Sequence, residues 1–146
     1  MFPILIADDA ASWFESGAVQ DVTVRNNTFR ECGYNSVSGA INIAPENREF
    51  VPESSVHRNI RIIDNSFILI NAGLLNAKSV SNLVFTGNKI SWTSLLSNKV
   101  ENPSINLNSC RNVLIKKNRF NSIELPLVKT TNMITKDLKT DLKTDF

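Results

Sequence analysis

The residues of this chain with the clearest potential for chemistry are two adjacent carboxylates, Asp8 and Asp9. Glycoside hydrolysis needs a pair of carboxyl groups, one acting as acid and the other as base. Adjacent residues on a strand point to opposite faces, so at most one of the two would face a groove. A partner such as Glu15 or Glu46 would then be required. The catalytic candidates are therefore Asp8, Asp9, Glu15 and Glu46, and structural aspartates in a turn are the competing interpretation.

Side chains that could bind a sugar lie around the same positions. Trp13, Phe14 and Trp92 are aromatic platforms on which a sugar ring could stack, and anchoring of the core or of a loop is their alternative role. The candidates for sugar binding are Trp13, Glu15, Glu46, Arg48 and His57.

Other chemistries find no support in the sequence. His57 is the only histidine, and neither a second histidine nor a cysteine lies at metal-ligand spacing from it, so we expect no metal site. Hydrogen bonding within a loop is the competing role for His57. A nucleophile elbow and a glycine-rich phosphate loop are both missing, and no cofactor is predicted. Cys32 and Cys110 are too few for a disulfide framework and are expected to be buried thiols.

Size and charge limit the class of protein further. The 146 residues suffice for one domain with one sizeable core. A formal net charge of +2 is too small to suggest a nucleic-acid or anionic-membrane partner. The sequence has no apolar run of about 18 residues that could span a bilayer. The first residues lack the basic lead of a signal peptide, so the residues themselves leave the localisation unknown.

A nine-residue frame that occurs four times must position these candidates. It reads Asp/Asn, apolar, any, apolar, any, any, Asn, any, apolar, and it occupies residues 21–29, 59–67, 82–90 and 112–120. The alternating apolar positions favour a strand with one buried face. Asparagine at the seventh position suits a tight turn, because it tolerates left-handed backbone angles. A weaker apolar series lies between the copies, so each period is predicted to hold two or three short strands.

The spacing of the turn asparagine predicts a stacked architecture. Its steps are 38, 23 and 30 residues, and the shortest is a typical length for one solenoid coil. We expect an all-β fold, a right-handed parallel β-helix (single-stranded solenoid) of about five coils over residues 1–128. A charged tail, with a short helix as the alternative, follows over residues 129–146. An asparagine ladder bonding coil to coil is predicted at Asn27, Asn65, Asn88 and Asn118.

The same register predicts two rows of inward-facing side chains. The first row consists of Val24, Ile62, Phe85 and Ile115. The second row consists of Phe29, Phe67, Ile90 and Phe120.

Two insertions are predicted to leave the same corner of adjacent coils. The distance from a strand of the weaker series to the next copy of the frame is 18 residues from Ile4 to Val22 and 19 residues from Ile41 to Ile60. In the next two periods the same distance is only 9 and 8 residues. Stacking would place the extra residues side by side, and clustered loops on one face of a repeat array are the usual place for binding.

Several specific strings resemble the C-terminal region of the family 110 glycoside hydrolases, bacterial α-1,3-galactosidases. The matching strings are residues 4–19, 22–29 and 32–34, then Ile43-Ala44-Pro45-Glu46-Asn47, residues 56–62 and the Asp-Leu-Lys-Thr-Asp-Leu-Lys ending. The resemblance implies a right-handed β-helix and an inverting, metal-independent hydrolase of several hundred residues, secreted or periplasmic in bacteria. In that family the paired catalytic aspartates precede an Asn-x-His-Gly-like segment, which this chain lacks, so no catalytic residue is carried over.

Three functions follow as expectations from this resemblance. The first is the C-terminal β-helix portion of an α-galactosidase-like enzyme, catalytically incomplete by itself. The second is a small stand-alone hydrolase that uses Asp8 or Asp9 with Glu15 or Glu46. The third is a carbohydrate-binding or assembly module without chemistry. Carbohydrate is the expected partner in each case. A homo-oligomer through exposed coil ends is also expected, because apolar residues such as Ile4 and Ile6 begin the first coil.

Overall fold

Short strands, each with apolar residues in alternation, make up this structure. The computed structural model describes residues 3–8, 17–32, 39–45, 54–70, 73–93, 104–121 and 125–146. Its strands are β1 Ile4–Ile6, β2 Gln20–Arg25, β3 Thr28–Cys32, β4 Ile41–Ile43, β5 His57–Ile63, β6 Ser66–Leu69, β7 Gly73–Lys78, β8 Val80–Thr86, β9 Lys89–Trp92, β10 Ser104–Asn108, β11 Arg111–Lys116, β12 Arg119–Asn121, β13 Leu127–Thr131, β14 Leu138–Thr140 and β15 Thr144–Asp145. A 3-10 helix, η1, spans Thr135–Asp137. Among the described residues, no helix is long and apolar enough to cross a membrane.

The strands form three sheets in which neighbouring strands run parallel. The first sheet has the order β1-β4-β7-β10-β13-β15, the second β14-β11-β8-β5-β2 and the third β12-β9-β6-β3. Successive trios of strands, beginning with β1-β2-β3 and ending with β10-β11-β12, each add one strand to every sheet. We call each trio a repeat. The all-β class is confirmed, and the parallel sheets are consistent with a β-helix.

The strand register confirms both predicted rows of inward side chains. In the second sheet Val24 pairs with Ile62, Ile62 with Phe85, and Phe85 with Ile115. In the third sheet the paired residues are Phe29, Phe67, Ile90 and Phe120. The central members of both rows are buried, and the outermost members Val24, Phe29 and Phe120 are partly buried and pack against the same core. Equivalent positions of the nine-residue frame therefore stack on one another.

Asparagine side chains link the repeats at the turn between the second and third sheets. Each amide nitrogen donates to the amide oxygen of the next repeat, from Asn27 to Asn65 at 3.2 Å, from Asn65 to Asn88 at 3.2 Å and from Asn88 to Asn118 at 3.0 Å. The same oxygens accept backbone N–H groups at 2.9, 2.9 and 3.0 Å. The left-handed backbone angle expected at each asparagine lies instead at the residue before it. The asparagine is required at this position for the hydrogen bonds of its amide along the stack.

A second row of amides runs along the surface, at the first position of the frame. Asn59 donates to the Asp21 carboxylate at 2.8 Å, Asn82 to Asn59 at 2.8 Å and Asn112 to Asn82 at 2.7 Å. All four residues have positive φ angles between 51° and 59°. No role was predicted for Asp or Asn at this position. Both residues tolerate the left-handed backbone, and both carry a side-chain oxygen that accepts from the next repeat.

The C-terminal segment differs from the predicted charged tail. The boundary proposed after residue 128 falls inside β13, and residues 129–146 include η1, β14 and β15, which extend the second and first sheets. Leu138 is buried and pairs with Val113, while Met133 and Leu142 pack against the core. The many charged residues made these strands hard to predict from the sequence, because the lysines occupy exposed positions next to the few apolar residues that face inward.

Candidate functional site

The structure brings the ends of the two predicted insertions together at one corner. Before the insertions, β1 pairs with β4 and the Ala44 N–H donates to the Ile6 carbonyl at 3.0 Å. After the insertions, β2 pairs with β5 through Val22 and Ile60. Residues 9–16 and 46–53 themselves lie outside the described residues. The flanking pairings place the ends of the two insertions at the same corner of neighbouring repeats; the course of the insertions themselves stays a prediction.

An aspartate and the histidine meet beneath this corner. Asp8 follows β1, and its Oδ1 lies 3.6 Å from Nε2 of His57, the first residue of β5. The His57 side chain is 0% exposed and the Asp8 side chain 8% exposed. The backbone N–H of Val19 donates to His57 Nδ1 at 3.2 Å. Within the described part of the chain, Asp8 Oδ1 and His57 Nε2 are buried and make no shorter polar contact.

The Val19 contact fixes the position of the imidazole proton. A nitrogen that accepts an N–H donor carries no hydrogen, so the neutral ring bears its proton on Nε2, facing Asp8. Burial lowers the pKa of His57 below its ordinary value of 6.5, and the nearby Asp8 charge and the Ala44 backbone only partly oppose this effect. His57 is therefore neutral at pH 7. The ring N–H therefore faces the Asp8 carboxylate across 3.6 Å without forming a hydrogen bond to it.

The pH dependence of the free energy of unfolding should reflect the lowered pKa of His57. The unfolded chain binds a proton at His57 at higher pH than the folded chain does, so the free energy of unfolding falls as the pH drops below about 6.5, by at most about 1.4 kcal/mol per pH unit. Urea titrations between pH 8 and pH 5 measure this slope. The His57→Gln variant has no imidazole and is expected to lose the part of the slope between pH 7 and pH 5.5. A wild-type protein that gains stability from pH 7 to pH 6 would contradict the lowered pKa.

The remaining predicted site residues fall into two groups. The candidates outside the described residues are Asp9, Trp13, Phe14, Glu15, Glu46 and Arg48, so the separation of a carboxylate pair stays a prediction. Trp92 is described, and it is partly buried against the core with its ring 6.4 Å from that of Phe120. This position matches the core role that was the alternative to sugar stacking. Among described residues, no three His, Cys, Asp or Glu side chains gather where a metal ion could be held.

The cysteines offer no reactive thiol in the described structure. Cys110 is buried, and its Sγ donates to the Ala77 carbonyl at 3.4 Å. Burial raises the pKa of this thiol to about 11, so it stays protonated and unreactive at neutral pH. The side chain of Cys32 lies outside what the structure describes.

Sequence reasoning missed one surface concavity. It measures about 410 Å³ and lies on the outer face of the second sheet, beside the surface row of amides. Its lining includes Asn59, Arg61, Asn82, Val84, Asn112 and Lys139. The signal that could have found it is the repeated Asp or Asn at the first frame position, which places hydrogen-bonding side chains in a line beside this face.

Comparison with known proteins finds similarity to bacterial α-1,3-galactosidases. It is 42% identical over 148 aligned residues to an α-1,3-galactosidase A of Bacteroides fragilis, covering 98% of this chain and 24% of that protein. An α-1,3-galactosidase B of Bacteroides thetaiotaomicron is 41% identical over 80% of this chain and 20% of its own length. The α-1,3-galactosidase B of Akkermansia muciniphila is 35% identical over 80% of this chain and 15% of its own length. No protein-family model matches the chain.

The predicted resemblance is confirmed by these matches. The chain spans about a quarter of the length of the α-1,3-galactosidases that it matches over nearly all of its own residues, which is consistent with the C-terminal region predicted from the strings. By its sequence, this chain is similar to one region of the α-1,3-galactosidases, the enzymes of glycoside hydrolase family 110.

Proposed function

We propose that the chain forms the β-helix portion of an enzyme that hydrolyses terminal α-linked galactose. The observation that carries the proposal is the identity of 42% across 98% of the chain with an α-1,3-galactosidase. The chain would act as scaffold and supply one wall of a sugar groove at the corner above Asp8 and His57. Its substrate would be a carbohydrate with α-1,3-linked galactose at the end.

The architecture that we propose for this role is a right-handed parallel β-helix of about five coils. The sheet orders support the count, since the first sheet has six strands, the second five and the third four. Handedness rests on the strong general preference for right-handed crossovers between parallel strands. A scaffold of this kind holds loops from successive coils at a fixed spacing of about 4.8 Å, which suits a groove built from adjacent insertions.

The chain alone would be catalytically incomplete under this proposal. Support comes from the sequence after Asp8-Asp9, which does not match the Asn-x-His-Gly-like segment, and from the coverage of only 24% of the B. fragilis enzyme. The homo-oligomer predicted through exposed coil ends remains a proposal as well. The observation that supports this oligomer is the partial burial of apolar side chains in the first repeat, at Val22, Val24 and Phe29.

A chimera tests the proposed function. The matching region of the B. fragilis α-1,3-galactosidase A is replaced by this chain, and turnover of a terminal α-1,3-galactoside is measured. We expect a soluble chimera whose activity is within about tenfold of that of the parent. A misfit at the junction that raises the activation barrier by about 1.4 kcal/mol would lower the rate by this factor. The control is the parent with this region deleted, which is expected to be inactive. A folded chimera without turnover would contradict the proposed role.

A further inference from the structure

Three separate segments of the chain converge on the imidazole of His57. Asp8 lies immediately before residues 9–16, Val19 lies shortly after them, and His57 begins the strand that follows residues 46–53. The ring contacts Asp8 through Nε2 at 3.6 Å and Val19 through Nδ1 at 3.2 Å. One side chain of the second repeat thus touches both ends of the insertion in the first repeat.

The backbone around His57 is itself held by neighbouring repeats. The His57 N–H donates to the Ser79 carbonyl at 3.1 Å, and the Val56 N–H donates to Ser79 Oγ at 3.0 Å. On the other side, the Arg58 N–H donates to the Val19 carbonyl at 3.1 Å. The imidazole is therefore aimed by a backbone that is tied to the first and third repeats, and the ring has little freedom to turn away.

We infer that Asp8 and His57 are a pair of positioning residues, which fix the points where the first insertion leaves the first sheet and joins the second. The pair ties these points to the start of β5, and so to the end of the second insertion. An apolar side chain would fill the same space at lower cost, because burying a carboxylate and an imidazole without strong partners is unfavourable. The polar pair adds direction, because Nδ1 accepts one backbone N–H at 3.2 Å and Nε2 faces one carboxylate at 3.6 Å.

This inference stands independently of the galactosidase proposal, since it rests on contacts within the chain. It predicts the tautomer of His57 and the dependence of the His57 pKa on the charge of Asp8. At pH 7 the ring carries its proton on Nε2, and the Val19 N–H exchanges slowly with solvent. Asp8→Asn keeps an acceptor for Nε2–H but removes the charge, so it is expected to lower the pKa of His57 further and to leave the tautomer unchanged.

Two histidine variants separate the two contacts. The side-chain oxygen of His57→Asn lies near the place of Nδ1 and retains an acceptor for Val19. The side-chain nitrogen of His57→Gln lies near the place of Nε2 and retains a donor for Asp8. Fast exchange of the Val19 N–H is therefore expected in His57→Gln and slow exchange in His57→Asn.

The test combines nitrogen NMR of His57 with limited proteolysis of the 146-residue chain. Chymotrypsin cleaves after Trp13 or Phe14, and we expect cleavage there to be about tenfold faster in His57→Ala than in wild type, because the ends of the segment are released. Val113→Ala removes buried apolar atoms far from this corner and serves as the control for overall destabilisation.

The outcomes either support or overturn the inference. A proton on Nε2, a His57 pKa that falls in Asp8→Asn, and faster cleavage in His57→Ala than in Val113→Ala support it. A proton on Nδ1, a His57 titration that ignores Asp8→Asn, or equal cleavage in the two alanine variants overturns it. Asp8→Asn is nearly isosteric and keeps the test open if His57→Ala does not fold.

Discussion

Replacing Asn65 by leucine is expected to lower the free energy of unfolding by about 3–5 kcal/mol, because each buried polar group left without a partner costs about 1–3 kcal/mol. The Asn65 oxygen accepts the backbone and side-chain N–H groups of Asn27. Its amide nitrogen donates to Asn88 and to the carbonyls of Val24 and Ile63. Leucine has the same number of side-chain heavy atoms and the same branching but satisfies none of these groups, and Asn65 is only 1% exposed.

Urea unfolding of the variant measures this effect, and Asn76→Leu is the matched control. Asn76 lies in β7, is partly exposed, and its side chain makes one hydrogen bond, to Asn42 at 2.7 Å. The same substitution there is expected to cost at most about 1 kcal/mol. Equal losses in the two variants would mean that the buried row of asparagines has no special part in stability.

Phe67→Ala is expected to cost about 3–5 kcal/mol, the usual range for removing a buried phenylalanine. Phe67 is fully buried in the second repeat. Its ring stacks on Phe29 at 4.9 Å between centroids and lies 6.4 Å from Phe85. The truncation would open a cavity between two repeats, and it would remove a contact that joins the two inward rows.

The control for this variant is Phe120→Ala, at the end of the same row. Phe120 is only partly buried, so its truncation removes less apolar contact and is expected to cost about half as much. Thermal unfolding of both variants at one protein concentration gives the comparison. A larger loss of stability in Phe120→Ala than in Phe67→Ala would contradict the central position of Phe67 in the core.

The strand register was predictable because equivalent positions recur. Alternating apolar residues define an inward face, and a slip by one residue would turn every one of them outward. The pairs Val24 with Ile62 and Phe29 with Phe67 follow from aligning two copies of the frame. The turn asparagines were predictable for the same reason, since one side-chain type at one frame position suggests one shared environment.

Features that depend on a single pair of residues could not be predicted in this way. Asp8 and His57 lie in different repeats, and neither belongs to the nine-residue frame. Their contact depends on where two insertions begin and end, which hydrophobic periodicity does not specify. The strands at the C-terminal end were missed because Leu138 supports β14 with a single buried apolar residue, too weak a signal among so many charges.

We propose that this chain is one region of an α-1,3-galactosidase-like enzyme and does not catalyse the reaction alone. The most direct measurement is turnover of a terminal α-1,3-linked galactoside by the purified 146-residue chain, with product formation followed at high protein concentration over many hours. We predict no turnover, or only very weak turnover, because Asp8-Asp9 is not followed by the Asn-x-His-Gly-like segment that the resemblance associates with the catalytic aspartates. Robust hydrolysis that disappears in an Asp9→Asn variant would contradict the claim and identify a stand-alone hydrolase.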